Sequence, residues 1–226
     1  MTELFEHLDV WCDAQPRSGA QNMALDQLLM ESMANRPLLR VYHWSEPTVS
    51  FGYSLPYADA EVAFPDSGLT YIRRWTGGGV VDHRIDVTYT LVIPRANPLA
   101  TMRGSGSYRE IHKVLALALV ELGVDVQLIS SDAGNGESAC FDNPVAYDIT
   151  DGLNNKVAGA GQRRNKQGLL HQGSVIADVS ATDLCEVFSV SLSRWQREYV
   201  PADVMLDNVD VLAQERYASE AWLRRR

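Results

Sequence analysis

Arg73-Arg74-Trp75-Thr76-Gly77-Gly78-Gly79 is the stretch on which the reading of this chain turns. It follows the apolar run Leu69 to Ile72 and precedes Val80-Val81-Asp82-His83 and an alternating run from Asp86 to Ile93. The pattern is strand, glycine loop, strand. Three consecutive glycines lose more backbone entropy on folding than any other triplet, so they belong where φ must be positive or where backbone lies close to something. A hairpin or bulge satisfies that requirement, and so does a binding loop. The flanking arginines and the later segments separate the two.

Working outward, Leu8 to Trp11 reads as a strand and Ala20 to Ala34 as a helix, with Leu25, Leu28, Leu29 and Met33 on one face. Pro37 ends it, and Leu38 to Trp44 is a strand. Pro47 to Gly52 reads as a turn, and Tyr57 to Val62 as a short helix. Ser107 and Glu110 have the spacing of a capping box, opening a helix with Tyr108, Ile111, Val114, Leu115, Ala118, Leu119 and Leu122 on one broad face and Gly123 at its end. Val124 to Ile129 is expected to be a strand, and Val145 to Thr150 with Lys156 to Gln162 a hairpin region. Leu169 to Ile176 is a further strand, Thr182 begins a short helix, and Asp207 to Leu223 is expected to be the last helix. Strands outnumber helices without strict βαβ alternation, which predicts an α+β fold with a mixed or antiparallel central sheet flanked by helices.

The 226 residues, 46% hydrophobic, suit one domain spanning 1–226. No apolar run approaches the ~18 residues of a membrane span. Met1-Thr2-Glu3-Leu4-Phe5-Glu6-His7 carries acids and no basic segment, unlike a signal peptide. Cys12, Cys140 and Cys185 lack metal-type spacing, so reduced thiols, a cytoplasmic location and no metal site are expected. A net charge of −9 argues against general nucleic-acid binding. Basic islands at Arg73 and Arg74, and at Arg163, Arg164 and Lys166, suit a small anionic ligand or an acidic partner patch.

Four stretches resemble, in order, the lipoate–protein ligase and octanoyltransferase superfamily. Arg73 to His83 is similar to its R-R-x-S/T-G-G-G-A-V-x-H stretch, and Asn22-Met23-Ala24-Leu25-Asp26 to its first-helix signature. Lys156-Val157-Ala158-Gly159-Ala160-Gly161-Gln162-Arg163 is similar to K-I/V-A/S-G-x-A-Q-R, and Leu169-Leu170-His171-Gln172-Gly173-Ser174-Val175 to L-L-H-Q-G-S-I. Two departures stand out: His83-Arg84-Ile85-Asp86 where the family reads H-D-x-G-N, and Gly161 where it commonly has alanine.

The resemblance implies a biotin/lipoate-ligase-like catalytic domain that attaches an octanoyl or lipoyl group to a lysine of a lipoyl domain. It implies that Gly77, Gly78 and Gly79 wrap an acyl tunnel and that Lys156 hydrogen-bonds the substrate carbonyl, although lysines are mostly solvated. Cys140, in Ala139-Cys140-Phe141-Asp142-Asn143-Pro144, matches the C-F-x-x-P context of octanoyltransferases that form an acyl-thioester. A free cysteine is also often a small core hydrophobe, the role expected of Cys12 and Cys185. His83 and His171 position substrate or are structural; Gly159, Gln162 and Gly173 lie in the matched stretches as substrate-binding candidates. Arg73 and Arg74 suit a phosphate, of a nucleotide in a ligase or of phosphopantetheine in a transferase; for Arg163 and Arg164 solvated surface is an equal alternative.

The transferase reading needs no cofactor, an acyl carrier protein as donor, and a lipoyl domain as acceptor. The acceptor would be the glycine cleavage H protein or a 2-oxoacid dehydrogenase acyltransferase subunit. The alternative, a lipoate–protein ligase, uses ATP and Mg. About 50 residues follow Ile176, too few for the C-terminal accessory domain that many ligases carry, though a separate chain could supply it. A non-catalytic acyl or lipoyl-domain binding protein is a third reading, against which Lys156 speaks.

Overall fold

Leu38-Leu39-Arg40-Val41-Tyr42 and Val87-Thr88-Tyr89-Thr90-Leu91-Val92 run antiparallel with Leu39 opposite Leu91 and Val41 opposite Tyr89. Side chains alternate across a strand, so this register sends Leu39, Val41, Tyr89 and Leu91 into one core. Leu38 and Val92 belong to a second core. The computed structural model describes residues 3–32, 35–66, 68–129 and 146–225.

In chain order the elements are β1 (His7–Arg17), α1 (Gly19–Ser32), β2 (Leu38–Trp44), β3 (Thr48–Phe51), α2 (Tyr57–Ala63), β4 (Thr70–Arg73), β5 (Val80–Asp82), β6 (Val87–Pro94), α3 (Pro98–Thr101), α4 (Gly104–Glu121) and β7 (Gln127–Leu128). There follow β8 (Ile149–Thr150), β9 (Lys156–Arg164), β10 (Gly168–Val175), α5 (Ala181–Leu192), β11 (Trp195–Glu198), α6 (Asp203–Leu212), a π-helical turn (Ala213–Tyr217) and α7 (Glu220–Leu223). Among the described residues the large sheet has eight strands in the order β11-β1-β2-β6-β10-β9-β8-β7, and a small sheet has the order β4-β3-β5. The β11–β1 and β1–β2 pairs are parallel and the rest of the large sheet is antiparallel. The expected α+β fold with a mixed sheet is what forms.

One face of the large sheet packs on α4 and α5 through Ile111, Leu115, Leu184 and Phe188. The other packs on α1 and the C-terminal segment through Leu25, Leu29, Val209 and Tyr217. The small sheet closes a third core around Val49, Phe51 and Ala60. No helix of the described residues is long and apolar enough to cross a membrane.

Several expectations are corrected. The first strand is longer than Leu8 to Trp11, because β2 pairs with it from Asp9 through Asp13 and again at Arg17. Pro47 to Gly52 is mostly the central strand of the small sheet, flanked by β4 and β5. Ser107 is no N-cap: α4 begins three residues earlier, and the Ser107 hydroxyl donates to the Gly104 carbonyl at 3.2 Å. The last helix is broken, since Tyr217 and Arg216 both reach back to Gln27 Oε1, at 2.8 and 3.0 Å. After that break Ser219 caps α7 by accepting from Trp222 N at 3.3 Å. Cys12 and Cys185 are not reduced thiols; they form a disulfide that ties β1 to α5, with Cα atoms 5.9 Å apart.

Candidate active site

β9 carries glycine at 159 and 161, and beside it the glycine loop follows β4. A Cβ on Gly161 would lie 2.2 Å from the Gly77 carbonyl oxygen, so loop and strand meet backbone to backbone. Gly78 has φ +102°, a conformation that side-chain-bearing residues rarely adopt. Between loop, sheet and α4 lies a cavity of about 340 Å³. Its wall includes Met23, Tyr42, Trp44, Val80 and Val81, and backbone at Gly78, Gly79, Gly159 and Gly173.

Lys156 stands at one end. Its Nζ is 2.8 Å from Asp148 Oδ2, and the carboxylate is fully buried. Tyr108, from α4, donates its hydroxyl hydrogen to Asp148 Oδ1 and accepts from Ala160 N at 2.9 Å. Burial first, then the Asp148 charge, pushes the Tyr108 phenol well above its ordinary pKa, so it stays a donor. The lysine tip bends over Gly159, where a Cβ would fall 2.3 Å from Lys156 Cε and 2.7 Å from Nζ. Glycine at 159 is therefore what lets the ammonium lie where it does.

Arg74 stands at the other end. It is buried, and donates to Ser50 Oγ at 2.7 Å and to the Gly77 and Gly79 carbonyls at 3.2 and 2.9 Å. Burial alone lowers its pKa to about 10, against a small opposing effect of Tyr42. Ser50 Oγ is 2.6 Å from His83 Nε2, and His83 Nδ1 is 2.7 Å from Asp86 Oδ2. A carboxylate only accepts, so Nδ1 carries a hydrogen; in the neutral ring Nε2 then takes the Ser50 hydrogen while Ser50 accepts from Arg74. Thr88 and Ser174 also donate to Asp86 Oδ2, at 3.0 and 2.5 Å. Trp44 stacks on His83 with centroids 4.0 Å apart. Asp86, three residues on, thus returns a carboxylate to His83 in a stretch that is one residue shorter than the family's.

In the wall, Gln172 bridges Thr76 Oγ1 and Asp26 Oδ2, both at 2.7 Å. Asp26 also binds Arg40 at 2.8 Å and Thr90 at 2.7 Å, and Arg40 reaches Asn22 Oδ1 at 2.7 Å. The Asn22-to-Asp26 stretch is therefore a buried polar clamp that fixes the glycine loop to α1 and the sheet.

Residues 18–217 match the lipoyl protein ligase A/B catalytic domain. The chain belongs to that family. It is similar to octanoyltransferase LipM of Moorella thermoacetica, 37% identical over 179 residues, covering 75% of this chain and 65% of that protein. It is also similar to LipM of Carboxydothermus hydrogenoformans, 34% identical over 192 residues, covering 82% of this chain and 70% of that one. The chain thus spans about two thirds of the length of these relatives. Its fold resembles a putative lipoate protein ligase from T. acidophilum with bound lipoic acid, at TM-score 0.78 and 19% identity, covering 96% and 99% of the two chains.

Of the residues that the family resemblance singles out, Arg74, Gly78, Gly79, His83, Lys156, Gly159 and Gly173 line the cavity. Gly77 contributes its N–H to the Gln162 carbonyl at 3.2 Å. Gln162 and His171 pair with each other at 2.9 Å behind β9, where His171 also meets the Tyr89 hydroxyl at 3.1 Å. Burial, with smaller contributions from His112 and Arg164, holds His171 well below its ordinary pKa. Arg73 faces away from the cavity, its guanidinium donating to the carbonyls of Tyr53, Leu55, Trp222, Leu223 and Arg225. Cys140 lies outside the described residues. Asp148, Tyr108, Ser50 and Asp86 were not legible as site residues, because each acquires its role from a partner on another element. Among the described residues no group of His, Cys, Asp and Glu has the arrangement of a metal site.

Proposed function

We propose that this chain is a single catalytic domain that moves an octanoyl group from a carrier-protein thioester onto a lysine of a lipoyl domain, by way of Cys140. The observation that carries the reading is Lys156, held by Asp148 against Gly159 at one end of a cavity of about 340 Å³. That volume suits a medium-length acyl chain, and the largely apolar wall suits its methylenes. The LipM relatives bear the same activity in their name. The Cys140 thiolate attacks the donor carbonyl, the Lys156 ammonium stabilises the oxyanion, and the carbon–sulfur bond to the carrier breaks with the carrier leaving as a thiolate that takes a proton from solvent. The acceptor amine then attacks the acyl-cysteine and expels the thiolate, losing a proton to solvent. This sequence draws on no nucleotide and no metal; its partners are an acyl carrier protein and a lipoyl domain of the H-protein or acyltransferase-subunit kind.

The test is intact-mass analysis of a lipoyl domain incubated with the chain and octanoyl-carrier protein, without ATP. The domain gains one octanoyl group, and Cys140→Ser abolishes the gain. Without acceptor, the enzyme itself gains a hydroxylamine-labile octanoyl group at Cys140. Modification only with free acid plus Mg-ATP rejects this reading in favour of the ligase.

A further inference from the structure

Outside the acyl cavity, on the far side of the glycine loop, three arginines from distant parts of the chain converge on one set of rings. Arg163 lies 4.4 Å over Trp75 and 5.0 Å over Tyr53. Arg216 lies 3.9 Å over Trp222. Arg225 lies 3.9 Å over Tyr53 and 5.0 Å over Trp222. Among the described residues no carboxylate comes within 4.0 Å of these three guanidiniums, whereas the adjacent Arg224 pairs with Glu220 at 2.6 Å. Their polar contacts are with neutral groups: Arg163 with the Trp75 carbonyl at 3.2 Å and Arg216 with Gln27 at 3.0 Å. The Nε atoms of Arg163 and Arg216 are buried without a hydrogen-bond partner. The Arg225 guanidinium at its hydroxyl, opposed by burial and helped by the charges of Arg225, Arg163 and Arg216, holds the Tyr53 phenol below its ordinary pKa.

Three like charges gathered on one patch repel one another, and a chain with net charge −9 has acids to spare for neutralising them. Aromatic faces offset part of that repulsion but leave the guanidinium edges unmatched. Guanidinium forks match both phosphate and carboxylate oxygens, and a phosphate presents more oxygens to three converging guanidiniums than a carboxylate does. We propose that Arg163, Arg216 and Arg225 form a binding site for a phosphate ester. The site sits against the cavity wall, because Arg163 is two residues from Gly161 and bonds the Trp75 backbone two residues before Gly77. Two sources share this chemistry: the phosphodiester of a pantetheine arm and a free nucleotide. Assignment to the pantetheine arm rests on the transfer reading above; the existence of the site does not.

Two measurements separate these points. In the first, inorganic pyrophosphate and ATP are titrated into the purified chain and tryptophan fluorescence is followed, since Trp222 and Trp75 line the site. Saturable, salt-sensitive binding is expected, weakened about tenfold or more in Arg216→Gln and in Arg225→Gln, the loss of one charge-assisted contact. Absence of saturable binding, or equal binding by both variants, overturns the site. Should a glutamine variant fail to fold, Arg216→Lys and Arg225→Lys keep the charge but lose the fork, and unchanged binding in both overturns the site as well. In the second, octanoyl transfer is compared between octanoyl-phosphopantetheine and phosphate-free octanoyl-pantetheine. The glutamine variants are expected to raise KM about tenfold for the phosphorylated donor alone, with kcat kept. Equal KM changes for both donors, or none, overturn the pantetheine assignment and leave the nucleotide if the first measurement succeeded. A chain that binds pyrophosphate but transfers no octanoyl group refutes the transfer reading and not the site.

Discussion

The two ends of the cavity each hold a largely buried cation, and they hold it in opposite ways. Lys156 touches its carboxylate directly, at 2.8 Å from Asp148. Arg74 is separated from Asp86 by Ser50 and His83, in a relay whose links are 2.7, 2.6 and 2.7 Å. A direct pair holds the ammonium in the cavity wall. A relay spends the guanidinium on the Gly77 and Gly79 carbonyls and fixes the loop. Under the proposed function, the contrast would give chemistry to the lysine end and shape to the arginine end.

The sharpest break of that contrast is Lys156→Ala. It is expected to lower octanoyl transfer roughly 10²–10³-fold, the loss from removing one electrostatic stabiliser of an acyl-transfer transition state. Single-turnover intact-mass kinetics at a temperature where the variant is folded decide it, and near wild-type turnover moves the chemistry elsewhere.

The lysine end also rests on His112, which lies 4.1 Å from the Tyr108 ring and donates from Nδ1 to the Tyr147 carbonyl at 2.7 Å. Burial lowers its pKa from 6.5 to about 4, opposed mainly by the Asp148 charge. The unfolded chain therefore binds a proton at a higher pH than the folded one. The stability contributed is present above pH 6.5 and is lost as pH falls toward 4, by about 3 kcal/mol in all. Urea midpoints between pH 7.5 and 4.5 measure this, and His112→Gln should flatten the slope.

Gly159→Ala tests the lysine's placement without removing it. The new methyl displaces the ammonium, and a misplacement on the order of 1 Å costs up to about 10² in kcat. The melting temperature should fall as well, because the methyl also crowds Asp148 Oδ1 at 3.2 Å and loosens the buried ion pair. A large drop in melting temperature with unchanged kcat would reverse the roles of strand and lysine.

At the arginine end the smallest effect is expected. Asp86→Asn weakens the last link of the relay and should cost about 1–2 kcal/mol of stability, with a raised KM and an unchanged kcat. If kcat falls instead by the factor seen for Lys156→Ala, the two ends are not different in kind.

Much of this was readable from the chain because backbone demands are local. Gly159 and Lys156 sit in a nine-residue strand, Lys156–Arg164, with period-two glycines, and the alternation of Val87 to Leu91 fixes the sheet's faces. What failed was whatever depended on a distant partner. Tyr108 counts as one more apolar position of its helix until Asp148 closes on it. Asp86 reads as the first residue of a strand until the Arg84-Ile85 turn aims it at His83. Trp195 to Glu198 gave no strand signal, since all four residues are exposed and only their pairing with β1 makes them a strand. The single C-terminal helix was expected on periodicity, and Gln27, nearly 190 residues earlier, overrules it.

Arg73 has a consequence for the order of folding. It is buried, and three of its five carbonyl partners belong to residues 222–225, about 150 positions later. During synthesis those partners emerge roughly 10–30 s after Arg73 at ordinary elongation rates. Until then the base of the glycine loop carries a cation with most of its acceptors missing, and contacts of such long sequence separation form slowly even in the complete chain. The cavity is therefore among the last parts of the molecule to take shape, and truncations that remove residues 222–225 should leave the sheet formed and the loop unclosed.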